Sequence, residues 1–126
     1  MSERRRQYRE IGPWKHEDVE QAILSDDIES LCLAVIGVSM HDDDWRYAQD
    51  LCVRLSSHSH FNVRGNAVLG FAHIARVHRR LDRAVVQLII QAALRDEHDY
   101  VRGHADSAVD DTMIYLKWHY DGKNAT

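Results

Sequence analysis

The sequence predicts an all-α fold, a short right-handed α-α superhelix (α-solenoid) of about three helical hairpins. Three observations support this prediction. One proline and six glycines among 126 residues leave few strong turn signals. Beyond Gly12-Pro13, apolar residues recur at a spacing close to that of an α-helix. The third observation is an internal repeat, whose period lies in the range typical of solenoids built from paired helices.

The first two predicted helices differ in how much of their surface is apolar. The first, about Glu17–Leu24, has its apolar residues on one side, namely Val19, Ala22 and Ile23. The second, about Asp27–Met40, is apolar nearly all round. We therefore expect other helices to bury the second helix on several sides.

The third predicted helix follows a run of three aspartates, Asp42 to Asp44, because carboxylates suit a helix N-terminus. It carries apolar residues at helical spacing through Leu55. The next three helices are predicted at about His60–Val77, Leu81–Leu94 and Asp99–Trp118. The connections are only two to five residues long, so consecutive helices should turn back as antiparallel hairpins.

The internal repeat joins the last four predicted helices. Val63-Arg64-Gly65-Asn66-Ala67 returns as Val101-Arg102-Gly103-His104-Ala105, and the same offset places His60 opposite His98. We call the distance from Val63 to Val101 the repeat offset. A Val-Arg pair that opens the second helix of a hairpin, with an Ala three residues after the Arg, resembles the HEAT-repeat pattern. The resemblance covers residues 43–118, and residues 17–40 would form a divergent first helical pair.

This resemblance implies one HEAT-like helical-repeat domain at residues 16–120, between a basic N-terminal arm at 1–15 and a C-terminal tail at 121–126. In HEAT repeats the arginine braces the turn between the helices through a nearby acid. Arg102 has such acids in Glu97 and Asp99, whereas the turn before Arg64 contains none. Gly65 and Gly103 should tolerate close contact with neighbouring helices.

Residue types that carry chemistry do not form a recognisable catalytic or metal-binding pattern in the sequence. Cys32 and Cys52 lie in apolar stretches, which is typical of small buried hydrophobic residues in a reducing compartment. The nine histidines lack metal-ligand spacing. The closest pair, His58 and His60, lies in a turn with no acidic neighbour. We therefore expect no metal, no cofactor and no catalytic residues.

Charge varies sharply along the chain, although the net charge is only −4. Residues 62–95 hold six basic residues and one acidic residue, and residues 96–126 hold three and seven. Four arginines between positions 76 and 83 surround one predicted turn, where solvated helix ends are an alternative to a phosphate site. We expect no direct binding of nucleic acid, because such proteins gather positive charge on one face.

The last helix carries the candidate binding face. If Val101 and its helical neighbours face the core, a mixed acidic and aromatic face lies beside them, and the repeat offset adds residues from the equivalent helix of the preceding repeat. HEAT-like stacks line their concave side with the second helix of each repeat, so this face should form a groove. The candidate partner-binding residues are Tyr100, His104, Asp106, Ser107, Asp110, Asp111, Tyr115, Asn66 and His73. An acidic solvated face without a partner is the alternative.

Among small chains with this repeat, the sequence looks similar to HEAT-like immunity proteins of bacterial polymorphic or contact-dependent toxin systems. That resemblance implies a non-enzymatic protein that binds and neutralises a cognate toxin, in this case a basic nuclease, through an acidic concave face. A HEAT-like adaptor or regulatory scaffold subunit is one alternative. The other is a HEAT-like DNA glycosylase, for which Trp45, Trp118 and Asp111 supply the residue types.

Location and oligomeric state follow from the apolar residues. The longest apolar run, Leu31 to Val38, is too short to span a membrane, and the first residues lack the apolar stretch of a secretory signal. We therefore expect a cytoplasmic protein without membrane contact, either a monomer or a weak homodimer. Exposed Tyr115, Trp118 and Tyr120 should cap the last hydrophobic face or form a dimer patch.

Overall fold

The computed structural model describes residues 11–121 of the chain. This part contains six α-helices and no β-strand, so the predicted all-α class is confirmed. The helices are α1 (His16–Ser25), α2 (Ile28–His41), α3 (Trp45–Leu55), α4 (Phe61–His78), α5 (Arg83–Ala93) and α6 (Asp99–Leu116). The connections are two to five residues long, as predicted.

Side chains fix where four of these helices begin. Asp27 and Asp44 accept hydrogen bonds from backbone N–H groups in the first turns of α2 and α3. His60 and His98 do the same at α4 and α6 with the ring nitrogen Nδ1. Each bond satisfies a backbone donor that has no partner within its own helix.

The second helix of each hairpin packs against the second helix of the next. Helix α4 lies between α2 and α6, and its contact with α6 is the most extensive between any two helices of the described chain. Helices α1, α3 and α5 pack against α2, α4 and α6 respectively. The fully buried side chains include Phe71 and Ile74 of α4 and Ile90 of α5. Helix α4 therefore forms the centre of the core.

The internal repeat of the sequence recurs in the helix bounds. Helices α3 and α4 return as α5 and α6, and all four bounds are shifted by the repeat offset. The left-handed residues that follow α4 and α6, Arg79 and Lys117, have the same offset. Arg64 donates to the His58 carbonyl, and Arg102 donates to the equivalent carbonyl, that of Asp96. The two hairpins are therefore equivalent in local structure.

The part of the predicted N-terminal arm that the structure describes, residues 11–15, packs onto α2. Ile11 is buried, and its carbonyl oxygen lies 2.8 Å from Nε2 of His41. A Cβ at Gly37 would lie 2.7 Å from both the Gly12 carbonyl oxygen and the Trp14 ring, so this approach requires glycine. Residues 1–10 of the predicted arm lie outside the described residues.

Aromatic residues after α6 fold back onto it, so the prediction that Trp118 and Tyr120 are exposed is wrong. Trp118 is 6% exposed and Tyr120 is 2% exposed. The left-handed turn at Lys117 reverses the chain, and the Tyr120 hydroxyl then lies 2.8 Å from Thr112 Oγ1. These rings cover the core at the C-terminal end of α6. Most of the predicted tail, residues 122–126, lies outside the described residues.

Both cysteines are free, as the sequence interpretation expects. Cys52 is fully buried against Ser39, and burial raises the pKa of its thiol to about 12. Cys32 is half-buried, and burial followed by the charge of Glu29 raises its pKa to about 11. Neither thiol is ionised near neutral pH, so both act as packing groups.

Candidate functional site

The nine residues predicted to form one partner-binding face lie in three different settings. Asn66 and Tyr100 form a contact between α4 and α6. The remaining residues divide between a half-buried group, His73, His104, Asp111 and Tyr115, and an exposed group, Asp106, Ser107 and Asp110.

Asn66 is part of the interior, so its assignment to the binding face is wrong. It is 1% exposed, and its Nδ2 donates to the Cys32 carbonyl of α2 at 3.3 Å. Its Oδ1 accepts a bond of 2.5 Å from the Tyr100 hydroxyl. The amide therefore joins α2, α4 and α6. The helical period places Asn66 beside exposed positions, but the close packing of three helices buries it.

Four titratable side chains form a polar cluster between α4 and α6, which we call the α4–α6 cluster: His73, Arg76, His104 and Asp111. Nη2 of Arg76 lies 2.8 Å from Nδ1 of His73. Burial, with the charges of Arg76 and His104, lowers the pKa of His73 to about 4. Burial also lowers the pKa of His104. His73 is therefore neutral at neutral pH and accepts the arginine hydrogen bond.

Asp111 is the acidic member of the α4–α6 cluster. Burial raises the pKa of this carboxyl group, the charge of Arg76 opposes that rise, and the charge of Asp110 adds to it. Asp111 thus lies beside an arginine of the preceding hairpin. The predicted face is therefore not uniformly acidic at this point, because α4 contributes a positive charge to it.

Arginines also cover the aromatic rings at one edge of the molecule. The Arg79 guanidinium lies 4.8 Å from the ring centre of Tyr115. Arg46 and Arg80 lie 4.6 and 5.0 Å from the ring centre of Trp45. Such cation–π contacts contribute about 0.5–1 kcal/mol each at exposed sites. Part of the arginine-rich segment around the α4–α5 turn is therefore used to hold aromatic rings.

The exposed acids of α6 face away from α4. Gly65 of α4 contacts α6, because a Cβ there would lie 2.6 Å from the Tyr100 ring. Val68 and Ala72 lie three and seven residues further along the same face and are 1% and 2% exposed. The repeat offset places Asp106 and Asp110 at the positions of Val68 and Ala72.

We define the outer face of α6 as Arg102, Gly103, Asp106 and Asp110. All four residues are exposed. A Cβ at Gly103 would meet nothing within 4 Å, so the expectation of a close contact there is wrong. No helix follows α6 among the described residues, which is why the position equivalent to Gly65 is open.

The turn before Arg64 is braced by an acid from the next hairpin, which corrects the expectation that this arginine lacks one. Nε and Nη2 of Arg64 donate to the two carboxylate oxygens of Asp96, each at 2.9 Å. Its Nη1 donates to the carbonyls of His58 and Ser59. Both charged side chains are 15% exposed. This arrangement raises the pKa of Arg64 and lowers that of Asp96.

Arg102 is the functional candidate that the sequence interpretation missed. We expected Arg102 to use the acids Glu97 and Asp99, but its Nη1 donates to the Asp96 carbonyl at 2.6 Å. The Asp96 carboxylate serves Arg64 instead. The sequence did contain a signal for the outer face of α6, to which Arg102 belongs. When the two repeats are compared position by position, Val68 and Ala72 correspond to aspartates in the last helix.

His58 has an acidic partner that is distant in sequence, so the description of its turn as lacking an acidic neighbour is wrong. Nε2 of His58 lies 2.8 Å from Oδ1 of Asp26, in the turn between α1 and α2. Nε2 of His16 lies 2.7 Å from Oδ2 of Asp42. Within residues 11–121, no group of three or more His, Cys, Asp or Glu side chains is placed to hold a metal ion.

Comparisons with known proteins returned no match to a family model, a curated protein or a solved structure. Among the helices of the described chain, none has both the length and the apolar character needed to cross a membrane. Hypotheses about function therefore depend on the surface of this chain, above all on the outer face of α6 and the α4–α6 cluster.

Proposed function

We propose that this chain is a protein-binding module with the architecture of a short HEAT-like α-solenoid. Two observations support the proposal. The bounds of hairpin α5–α6 are those of hairpin α3–α4 moved along the chain by the repeat offset. The helices α2, α4 and α6 are packed in chain order. Stacked hairpins of this kind expose a large surface for their mass, which favours binding as the activity.

We further propose that the chain is a cytoplasmic immunity protein that neutralises a cognate basic nuclease toxin. The observation that carries this proposal is a difference between the equivalent helices α4 and α6. Where α4 has two buried apolar residues, α6 has two exposed aspartates. Asp106 and Asp110 replace Val68 and Ala72, and Asp111 follows directly. A nuclease binds phosphates with basic residues, so a carboxylate surface is complementary to its substrate-binding face.

The acids and the aromatic residues have different roles in this proposal. Exposed carboxylates attract a basic partner over several ångströms and increase the rate of association. Tyr115 and the half-buried imidazole of His104 supply a less hydrated contact surface beside them. Blocking the nuclease requires no catalytic residue of this chain, because an occupied active site cannot bind nucleic acid.

Co-expression with the toxin encoded beside its gene tests the immunity function. We expect the wild-type chain to restore growth. We expect Asp110→Lys/Asp111→Lys to lose that protection, because the reversed charges repel a basic partner and weaken binding by about 2–5 kcal/mol, mainly through faster dissociation. Surface plasmon resonance with the purified, catalytically inactive toxin measures both rates.

Asp43→Lys/Asp50→Lys is the control for net charge, because it changes the net charge equally by reversing two exposed carboxylates at or near α3. This variant should protect as well as the wild-type chain. Failure of the wild-type chain to protect against the neighbouring toxin would refute the immunity function. Equal affinity of the wild-type chain and the Asp110→Lys/Asp111→Lys variant would remove these aspartates from the interface.

A further inference from the structure

The contact between α4 and α6 shows how one hairpin of this chain receives the next. On α4, the Arg64 guanidinium holds the Asp96 carboxylate through two bonds of 2.9 Å. The adjacent Gly65 receives the ring of Tyr100, which lies four residues after Asp96. One and two turns further along, Val68 and Ala72 complete the covered face. This face of α4 therefore recognises an acid, an aromatic residue four positions later, and the helix that carries that aromatic residue.

The outer face of α6 repeats the first part of this arrangement. Arg102 has the position of Arg64, is exposed, and makes the equivalent bond to a backbone carbonyl. Gly103 has the position of Gly65 and has open space where the ring of Tyr100 would lie. The second part differs, because Asp106 and Asp110 are exposed carboxylates rather than buried apolar residues.

We propose that the outer face of α6 binds a helix of a partner protein in the way that α4 binds α6. The partner helix has an acidic residue just before its first turn for Arg102, and an aromatic residue four positions later for Gly103. Basic residues four and eleven positions after that aromatic residue lie within reach of Asp106 and Asp110. This inference rests on the proposed protein-binding function, and it specifies the element that the partner presents.

A second copy of this chain is a poor occupant of the same face. Two α6 helices placed face to face would bring like carboxylates together, which is unfavourable. A head-to-tail contact would need the free edge of α2, but residues 11–14 cover Gly37 on that helix, and His41 bonds the Ile11 carbonyl. The two aspartates favour a partner with basic residues instead.

A peptide made from the chain itself serves as the probe. It comprises residues 96–116 with His104→Lys and Asp111→Lys. His104 is chosen because its ring lies 3.3 Å from a Cβ built at Gly65, and Asp111 lies seven residues further along that side of the helix. In a complex with α6, the lysine at position 104 would therefore lie near Asp106. The lysine at position 111, whose side chain points back toward the start of its helix, would lie within reach of Asp110. Binding of the fluorescein-labelled peptide to the full chain is measured by fluorescence anisotropy.

We expect saturable binding that weakens by about tenfold or more in each of the variants Arg102→Ala, Gly103→Leu and Asp110→Lys. Gly103→Leu fills the space that the aromatic ring of the partner would occupy, whereas in the free chain a Cβ at this position meets nothing within 4 Å. Asp43→Lys is the matched control and should leave the affinity unchanged. Equal binding by the wild-type chain and the Gly103→Leu variant would overturn the proposal.

A fused chain tests the same face independently of the helicity of the peptide. In it, a copy of residues 83–116 with the same two lysines follows Tyr120 directly, because Tyr120 has the position in the repeat that Asp82 has before α5. We expect Gly103→Leu to destabilise the fused chain and to be tolerated in the natural chain. The proposal is wrong if the peptide does not bind and the fused chain shows no such difference.

The co-expression test of the proposed function distinguishes failure of this inference from failure of the immunity function. If Gly103→Leu still protects fully against the toxin, the outer face of α6 is not the toxin-binding surface, and this inference fails while the immunity function stands. If the peptide binds as expected but the wild-type chain gives no protection, the immunity function fails while the docking face stands.

Discussion

Two glycines at equivalent positions in the repeat have opposite environments. The Tyr100 ring lies so close to Gly65 that a Cβ there would be 2.6 Å from two ring carbons. A Cβ at Gly103 would meet nothing within 4 Å. Glycine in a helix interior costs about 1 kcal/mol relative to alanine. Close packing offsets this cost only at Gly65.

We expect Gly103→Ala to stabilise the chain by about 1 kcal/mol through helix propensity. Gly65→Ala should destabilise it by about 1 kcal/mol or more, because the ring of Tyr100 must shift and overpacking typically costs about 1–3 kcal/mol. Each variant is the control for the other in urea unfolding followed by circular dichroism. Changes of the same sign in the two variants would contradict the difference between their environments.

The sequence predicted the chemical type of these residues better than their surroundings. Both Val-Arg-Gly segments begin their helices as the repeat indicates, and Val63 and Val101 are buried. The difference between Gly65 and Gly103 depends on which helix comes next in space. The partner of Arg64 was missed for the same reason, since Asp96 lies 32 residues away in the sequence.

At the scale of elements, the pair Arg64–Asp96 ties the turn before α4 to the turn before α6. We expect Asp96→Asn to lower the free energy of unfolding by about 2 kcal/mol, since hydrogen bonds between charged groups contribute about 1.5–3 kcal/mol. Asp99→Asn is the matched control, because this carboxylate lies in the same segment with its side chain 86% exposed. It should change stability by less than about 0.5 kcal/mol.

The contribution of Asp96 should also depend on pH. The hydrogen bonds from Arg64 lower the pKa of Asp96 in the folded chain below the ordinary value of 3.8. A carboxyl with a lowered pKa stabilises the folded state fully above the unfolded value and loses this contribution as pH falls through the folded value. The difference in the free energy of unfolding between the wild-type chain and Asp96→Asn should therefore be constant from pH 7 to 5 and shrink below pH 3.8. Urea unfolding across this range measures it, and a difference that grows in acid would contradict the assignment.

The helix bounds were predicted closely where side-chain capping determines them. The fourth helix was predicted at about His60–Val77 and lies at Phe61–His78. The sixth was predicted to continue to Trp118 but ends at Leu116. Lys117 adopts the left-handed conformation that usually favours glycine, so no local signal marked this end.

At the scale of the whole molecule, opposite charges are distributed over different surfaces. Arginines around the α4–α5 turn hold Trp45 and Tyr115, whereas the outer face of α6 presents aspartates. Trp118, one of the two tryptophans that the DNA glycosylase alternative could use, is buried and cannot stack on a nucleic-acid base. The net charge of −4 opposes association with a polyanion.

We therefore expect no shift of duplex DNA in a native gel, from low to physiological salt. The basis is repulsion between the acidic chain and the DNA phosphates, which is strongest at low salt. Lysozyme, as a basic protein, provides the positive control for non-specific binding. A shift by this chain that disappears steeply as salt rises would instead support the DNA glycosylase alternative.

The amino-acid sequence by itself determined the helical class, the hairpin pattern and the repeat that returns Val63 as Val101, because helical periodicity and end signals are local properties. It also identified the acids of α6. Only the tertiary structure decided that Asn66 is buried, that Arg64 pairs with Asp96, and that Asp106 and Asp110 lie on an exposed face of the described chain. These properties depend on which helix packs against which, and a contact between residues that are distant in the sequence leaves no mark on local spacing.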